Sequence, residues 1–287
     1  MFQTGLPKGF LDIHGDSFDN FLVTGSWSQS ALNRGQLATR GYSQSLSLQL
    51  ATPGSDLEYY KLMYNGQIFI PLWRDFTLRL RTDLGYGDGW GDTSELPFYE
   101  HFFSGGFRSV RGFKSNTLGP QSTPALRYTI LNIPEYNSEG EIVDFQDKYV
   151  YVTCARADDT NTAHTKCGPE GEKIFFSQLG YDRYNSFGGN LLVEGSAEIL
   201  FPLPFIKDQR SVRSGVFVDF GNVFDTNCSD TQVICSDPDF GELRYSVGFG
   251  VTWITGFGPI TFSLAKPLND EDWDETEVFQ FSLGQGF

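Results

Sequence analysis

Phe76-Thr77-Leu78-Arg79-Leu80-Arg81-Thr82-Asp83-Leu84-Gly85-Tyr86 decides the fold of this chain. Phe76, Leu78, Leu80, Thr82, Leu84 and Tyr86 fall on one side of an extended segment; Thr77, Arg79, Arg81 and Asp83 fall on the other. Period-two alternation marks a β-strand, because successive side chains leave opposite faces of the pleat. The first face is apolar and needs an apolar neighbour. The second carries charges at mid-strand, which a dry core would leave costly and unpaired. A water-filled or plugged lumen on one side and lipid on the other satisfies both faces.

The same alternation recurs on either side of this stretch. Upstream, Phe21, Val23, Gly25 and Trp27 share one face; Tyr42, Gln44, Leu46, Leu48 and Leu50 another; Tyr60, Leu62, Tyr64, Gly66, Ile68 and Ile70 a third. Downstream, Leu191, Val193, Gly195, Ala197, Ile199 and Phe201 oppose Leu192, Glu194, Ser196 and Glu198. Val212, Ser214, Val216, Val218 and Phe220 oppose Arg213, Gly215, Phe217 and Asp219. Leu243, Tyr245, Val247, Phe249, Val251 and Trp253 oppose Arg244, Ser246, Gly248 and Thr252. Ile260, Phe262 and Leu264, then Phe279, Phe281, Leu283 and Phe287, complete a set of nine predicted strands. A soluble sandwich also alternates. The mid-strand charges Arg79, Arg81, Asp83, Glu194, Glu198, Arg213, Asp219 and Arg244 favour the membrane barrel instead, and Trp27, Tyr42, Trp253 and Phe287 suit its interfacial girdles.

Composition agrees. Aromatics make up 16% of the 287 residues, with 32 glycines and two methionines, a mix that favours strands and tight turns. A net charge of −15 argues against a nucleic-acid partner. No apolar run is long enough for a transmembrane helix, and a membrane barrel keeps its average hydropathy low. The start, Met1-Phe2-Gln3-Thr4-Gly5, is not a signal peptide. An outer-membrane protein needs one, so Met1 is expected to be an added start on a fragment. Cys154/Cys167 and Cys228/Cys235 form two close pairs in polar sequence without metal-site spacing. Two disulfides in an oxidising compartment fit them, with all three connectivities open.

Connection lengths alternate. Pro71–Asp75 and Thr255–Pro259 are compact, whereas Asp225–Glu242, Lys266–Glu277 and above all Gly87–Gly189 are long. Short periplasmic turns and long extracellular loops are the habit of outer-membrane barrels, and a loop as long as the last is usually functional. Within it lies Phe102-Phe103-Ser104-Gly105-Gly106-Phe107-Arg108-Ser109-Val110-Arg111-Gly112-Phe113, which ends in an arginine flanked by Val110, Gly112 and Phe113.

From Phe21 to Phe287 the chain resembles the C-terminal part of the barrel of the BamA family of outer-membrane protein assembly factors. The resemblance rests on Pro53-Gly54-Ser55-Asp56, Glu58-Tyr59-Tyr60-Lys61, Gly85-Tyr86-Gly87-Asp88-Gly89, Pro97-Phe98-Tyr99-Glu100, Val110-Arg111-Gly112-Phe113, Ser115-Asn116-Thr117-Leu118-Gly119-Pro120, Gly188-Gly189-Asn190 and Phe279-Gln280-Phe281. It implies an all-β transmembrane antiparallel barrel, of which residues 1–287 are the C-terminal nine of sixteen strands, without the first strands or the POTRA domains. The long loop, about 87–189, folds into the lumen, where Arg111 meets Glu198 and Asp219. The last strand, about Val278 to Phe287, forms one side of a lateral gate through Phe279, Phe281, Leu283 and Phe287, and its aromatic end resembles a barrel-recognition signal. The implied function is insertion of β-barrel proteins by strand templating. The implied partners are unfolded clients, outer-membrane lipids and lipopolysaccharide, and Bam lipoproteins reached mostly through the POTRA domains. No cofactor, metal or catalytic residue is expected.

Other readings rank lower. Glu194 and Glu198 are a formal glycosidase pair, but no cleft follows from the sequence. His14, His101 and His164 read as ordinary loop residues, and Asp270-Glu271-Asp272-Trp273-Asp274-Glu275 misses the EF-hand register. A translocation pore of the same superfamily, of the two-partner secretion or TamA-like kind, is the alternative function, with a passive porin behind it. Each cysteine pair is expected to close within its own loop. Nine strands cannot close with antiparallel pairing throughout, so the fragment is expected to self-associate.

Overall fold

The computed structural model describes residues 17–121, 186–203, 211–227, 235, 238–271 and 273–284, and the backbone of 128–136 and 142–151. Nine strands form one sheet: β1 (Leu22–Ser30), β2 (Gly41–Ala51), β3 (Tyr59–Pro71), β4 (Thr77–Gly89), β8 (Leu191–Phe201), β9 (Val212–Phe224), β10 (Arg244–Thr255), β11 (Gly258–Pro267) and β13 (Phe279–Leu283). They lie in the order β1-β2-β3-β4-β8-β9-β10-β11-β13, and every pairing is antiparallel. Two two-residue strands, β5 (Gly112–Phe113) and β12 (Thr276–Glu277), pair with each other.

The faces divide as the alternation requires. On β9, Val216, Val218 and Phe220 are exposed while Phe217 and Asp219 are buried. On β8, Ile199 is exposed and Glu198 is 1% exposed. Exposed aliphatics and aromatics on one face with buried charges on the other invert the arrangement of a water-soluble sheet. Some residues assigned to the outer face are buried instead: Val212 and Ser214 at the start of β9, and Leu243 beside the 3-10 turn Phe240–Glu242, just before β10 begins at Arg244.

The turns explain themselves locally. Between β3 and β4, Leu72 N–H bonds Phe76 C=O at 2.9 Å and Arg74 takes a left-handed φ of 52°. Between β10 and β11 the Thr255 hydroxyl bonds Gly258 C=O at 2.7 Å, and Phe257 projects fully exposed.

The long connection is less irregular than its sequence suggests. It contains β5 and an antiparallel pair, β6 (Tyr128–Tyr136) with β7 (Ile142–Tyr151). Pro134 and Asn132 obscure the alternation in β6, and β7 mixes polar and apolar residues on both faces, so neither carried a period-two signal. Chain contacts divide the molecule into two units, with this pair in the smaller one and the nine-strand sheet with residues 102–121 in the larger. Cys154, Cys167, Cys228 and Phe287 lie outside the described residues; Cys235 is disulfide-bonded.

Candidate functional site

Beyond β4 and the 3-10 turn Phe98–Glu100, residues 102–121 run against the polar face of the sheet. Phe102 and Gly189 exchange both backbone hydrogen bonds, at 2.8 and 3.1 Å, so the outgoing and returning arms of the long connection are tied at its base. Gly105 and Gly106, at φ of 98° and 106°, reverse the chain, and Gly106 N–H closes on Val110 C=O at 3.2 Å. Val110, Phe113 and Leu118 then form a small apolar core of their own, each fully buried. The hairpin-like tip is thus a compact body presenting Arg111.

Arg111 is gripped from two sides. Its Nε donates to Asp219 Oδ2 at 2.7 Å and its Nη2 to Asp219 Oδ1 at 2.8 Å, a bidentate fork. Its backbone N–H adds a third bond to Asp219 Oδ2 at 3.1 Å. Nη1 meets Glu198 Oε1 at 3.4 Å and Nη2 meets Ser196 Oγ at 3.3 Å. Ser196 Oγ donates in turn to Asp219 Oδ1 at 2.6 Å. With these four donors the Asp219 carboxylate fills its acceptor sites, which matters because the residue is fully buried. Arg79 on β4 meets the other oxygen of Glu198 at 3.3 Å. The chain Arg79–Glu198–Arg111–Asp219 therefore holds two cations and two anions. Charge is balanced inside a region from which bulk water is largely excluded, the condition under which a buried ion network is tolerated.

Other lumen-face charges also hold the loop. Arg81 donates to the carbonyls of Arg108 and Ser109, the second at 2.7 Å. The Ser109 hydroxyl donates to Glu194. The formal pair Glu194 and Glu198 is thus spent on anchoring the loop. Gly112, at φ of 93°, presses on the wall: a Cβ there would sit 3.2 Å from Ala265 Cβ and 3.3 Å from Pro267 Cδ. Glycine alone among the amino acids suits that backbone at that approach. On its far side the motif pairs with β12, and the Gln280 side chain bonds Gly112 N–H at 3.4 Å and Phe113 C=O at 2.7 Å. Beside the loop lies a cavity of about 1000 Å³ bordered by Arg81, Glu194 and Arg108 and by Ser43 and Ser282 of the outer strands.

Sequence reasoning singled out Arg111, Glu198 and Asp219, and the structure brings the three together. It missed the wall residues Ser196, Phe217, Arg81, Glu194 and Gln280 as partners of the loop, and Ser109 as the loop residue that reaches Glu194. All six but Ser109 occupy inward positions, where alternation gives no means of choosing among the polar residues or of singling out Phe217. Phe279, Phe281 and Leu283 lie on the exposed face of β13.

Outside the strands, His101 sits where the loop arms meet. Its ring nitrogens lie 3.1 Å from Phe187 O and 3.2 Å from Leu96 O. Burial holds its pKa below the usual histidine range, outweighing the two carbonyls and Asp225, which favour the charged ring; Lys61 opposes it.

An apolar outer belt, a charged inner wall and a loop locked to that wall define a transmembrane antiparallel β-barrel of the bacterial outer membrane. The chain belongs to the Omp85 superfamily, whose domain model matches residues 5–287. Over 289 aligned residues, 94% of this chain, it is 34% identical to the outer membrane protein assembly factor BamA of Neisseria meningitidis serogroup B. A second BamA, from Neorickettsia risticii, is 25% identical over 103 residues, 36% of this chain. Among solved structures, the crystal structure of Haemophilus ducreyi BamA lacking POTRA domains 1–3 matches 99% of this chain with a TM-score of 0.70 at 26% identity. The chain spans 29% of the length of the Neisseria relative, 13% of the Neorickettsia one and 48% of the Haemophilus chain.

Proposed function

We propose that this chain forms the client-facing part of an insertase for outer-membrane β-barrel proteins, with β13 as one side of a lateral gate. The observation that carries the reading is the position of β13. Among the described residues it lies at an edge of the sheet and pairs on one side only, over the five residues Phe279–Leu283. A strand entering a bilayer must satisfy its backbone groups before meeting hydrocarbon. A strand edge with unpaired N–H and C=O groups offers those partners by β-augmentation.

The residues of β13 that face outward, Phe279, Phe281 and Leu283, present a narrow apolar band to lipid beside that edge. Clients, outer-membrane lipids and lipopolysaccharide are the partners of this surface, and Bam lipoproteins engage POTRA domains beyond this chain. On this reading residues 1–287 are the C-terminal portion of a larger barrel. The buried anchoring of Arg111 speaks against a passive porin, whose lumen must stay open.

The test is site-specific photocrosslinking during client assembly, in the protein as the cell makes it. Probes at Phe279 and Phe281, on the exposed face of β13, should trap a client strand, and probes at Val247 on β10 should not. Equal trapping at both positions, or none at either, removes the gate assignment.

A further inference from the structure

We infer that Gln280 couples docking of the Val110–Phe113 motif to fixation of the terminal strand β13, so that neither is released without loosening the other. Its functional meaning rests on the gate reading above; the coupling itself does not.

Gln280 occupies an inward position of β13 and is 4% exposed. Its Oε1 accepts from Gly112 N–H at 3.4 Å and its Nε2 donates to Phe113 C=O at 2.7 Å. One side-chain amide thus serves a backbone donor and the next residue's acceptor, as a neighbouring strand would. Nε2 also lies 3.3 Å from Glu277 Oε2, which orients the amide.

The segment leading into β13 meets the same motif. Thr276 and Glu277 pair with Phe113 and Gly112 as a short antiparallel ladder. Lys114 N–H donates to Glu275 C=O at 2.8 Å, and its ammonium meets the Glu275 carboxylate at 2.7 Å. Residues 275–277 and the Gln280 side chain are therefore bound to the loop.

The sheet holds β13 weakly by comparison. Its register with β11 covers five residue pairs, and one further bond joins Ala265 N–H to Val278 C=O at 2.9 Å. The preceding pair, β10 with β11, covers ten. The motif itself rests on β11 through Gly112 against Ala265 and Pro267. It fills the angle between β11 and the approach to β13 and bonds to the latter. Withdrawing it leaves the Gln280 amide and two backbone groups of the 276–277 ladder without their partners. By linkage, whatever frees β13 must weaken the motif's seat by the same amount. The loop grip on Asp219 and the mobility of the terminal strand are then two readings of one equilibrium, and Gln280 is its positioning residue.

The test uses hydrogen–deuterium exchange on the membrane-embedded protein, read separately for peptides covering 110–114, 276–283 and the centre of β10. Gln280→Leu keeps volume and removes both bonds. It should speed exchange about tenfold in both of the first two segments, the scale of one to two neutral hydrogen bonds, and leave β10 unchanged. Arg111→Ala, which acts at β8 and β9, should speed exchange at 276–283 as well. Faster exchange at 276–283 alone in Gln280→Leu, or a wild-type 276–283 in Arg111→Ala, overturns the coupling. Should Gln280→Leu fail to accumulate, Gln280→Asn is read by the same criteria, since its shorter amide cannot span both partners. Client insertion is followed in parallel. Coupled exchange with normal insertion sinks the gate reading and leaves the coupling standing; uncoupled exchange sinks the coupling whatever insertion does.

Discussion

The guanidinium carbon of Arg111 lies 3.3 Å from the centre of the Phe217 ring. The ring covers the flat face of the cation, while Asp219, two residues along the same strand, takes its edge. Alternation places Phe217 and Asp219 on one side of β9, so one strand supplies both the aromatic lid and the counter-ion. A cation so enclosed is held by geometry as much as by charge.

Substitutions at position 111 should separate the two contributions. Arg111→Ala leaves Asp219 and Glu198 buried without their shared cation and should destabilise the docked loop by about 3–5 kcal/mol. Arg111→Lys keeps the charge but cannot make the fork, and should fall between Ala and wild type. Protease cleavage within 102–121, followed against denaturant, measures the order. Lysine equal to arginine would show that charge alone seats the loop.

The outer face should reject charge. Val218 is exposed on β9 between Phe217 and Asp219. Val218→Arg should cost about 2–4 kcal/mol if the residue sits near the bilayer centre, measured as folding stability in lipid vesicles. In a water-soluble sheet the same change on an exposed position would be near neutral.

Mild acid should loosen the base of the loop. Because burial lowers the His101 pKa, the unfolded segment binds the proton more readily than the folded one. The contribution is complete above the unfolded value of about 6.5 and is lost as pH falls through the folded value. Protection factors at 96–102 and 186–189, corrected for the slower intrinsic exchange in acid, should fall as pH falls below the unfolded value. His101→Gln, which does not titrate, should flatten the profile; a profile unchanged by it assigns the effect elsewhere.

Non-reducing peptide mapping should find Cys154–Cys167 and Cys228–Cys235, since each pair closes a short polar segment. Cys235 is disulfide-bonded, and a Cys154–Cys235 peptide would refute the local pairing.

Produced by itself, the 287-residue chain should self-associate in micelles. β1 and β13 form the two edges of the sheet, and every residue of β1 is exposed. Edges of that kind recruit further strands. Light scattering that finds a monodisperse monomer would mean the edges are satisfied some other way.

The sheet was legible because period two survives along each long strand: the eleven residues from Phe76 to Tyr86 suffice to assign both faces of β4. Arg111, Glu198 and Asp219 were legible only through family resemblance, since alternation puts the two acids inward but cannot choose them over Glu194. Gln280 was invisible for the same reason. The β5–β12 pair was invisible because two residues carry no period, and β6 and β7 because their faces are mixed.

Glu198 has a consequence for how the chain reaches this state. Its two oxygens receive Arg79, 119 residues earlier, and Arg111, 87 residues earlier. The strands β1 to β4, and again β8 to β13, meet partners that follow them closely in sequence, contacts of the kind that form fast. Among the described strands, only the junction of β4 with β8 and the seating of the tip require a distant search. We expect two quickly formed blocks and one slow union, with Glu198 as the point where that union registers. The time to fold is then set by a single closure rather than by the number of strands.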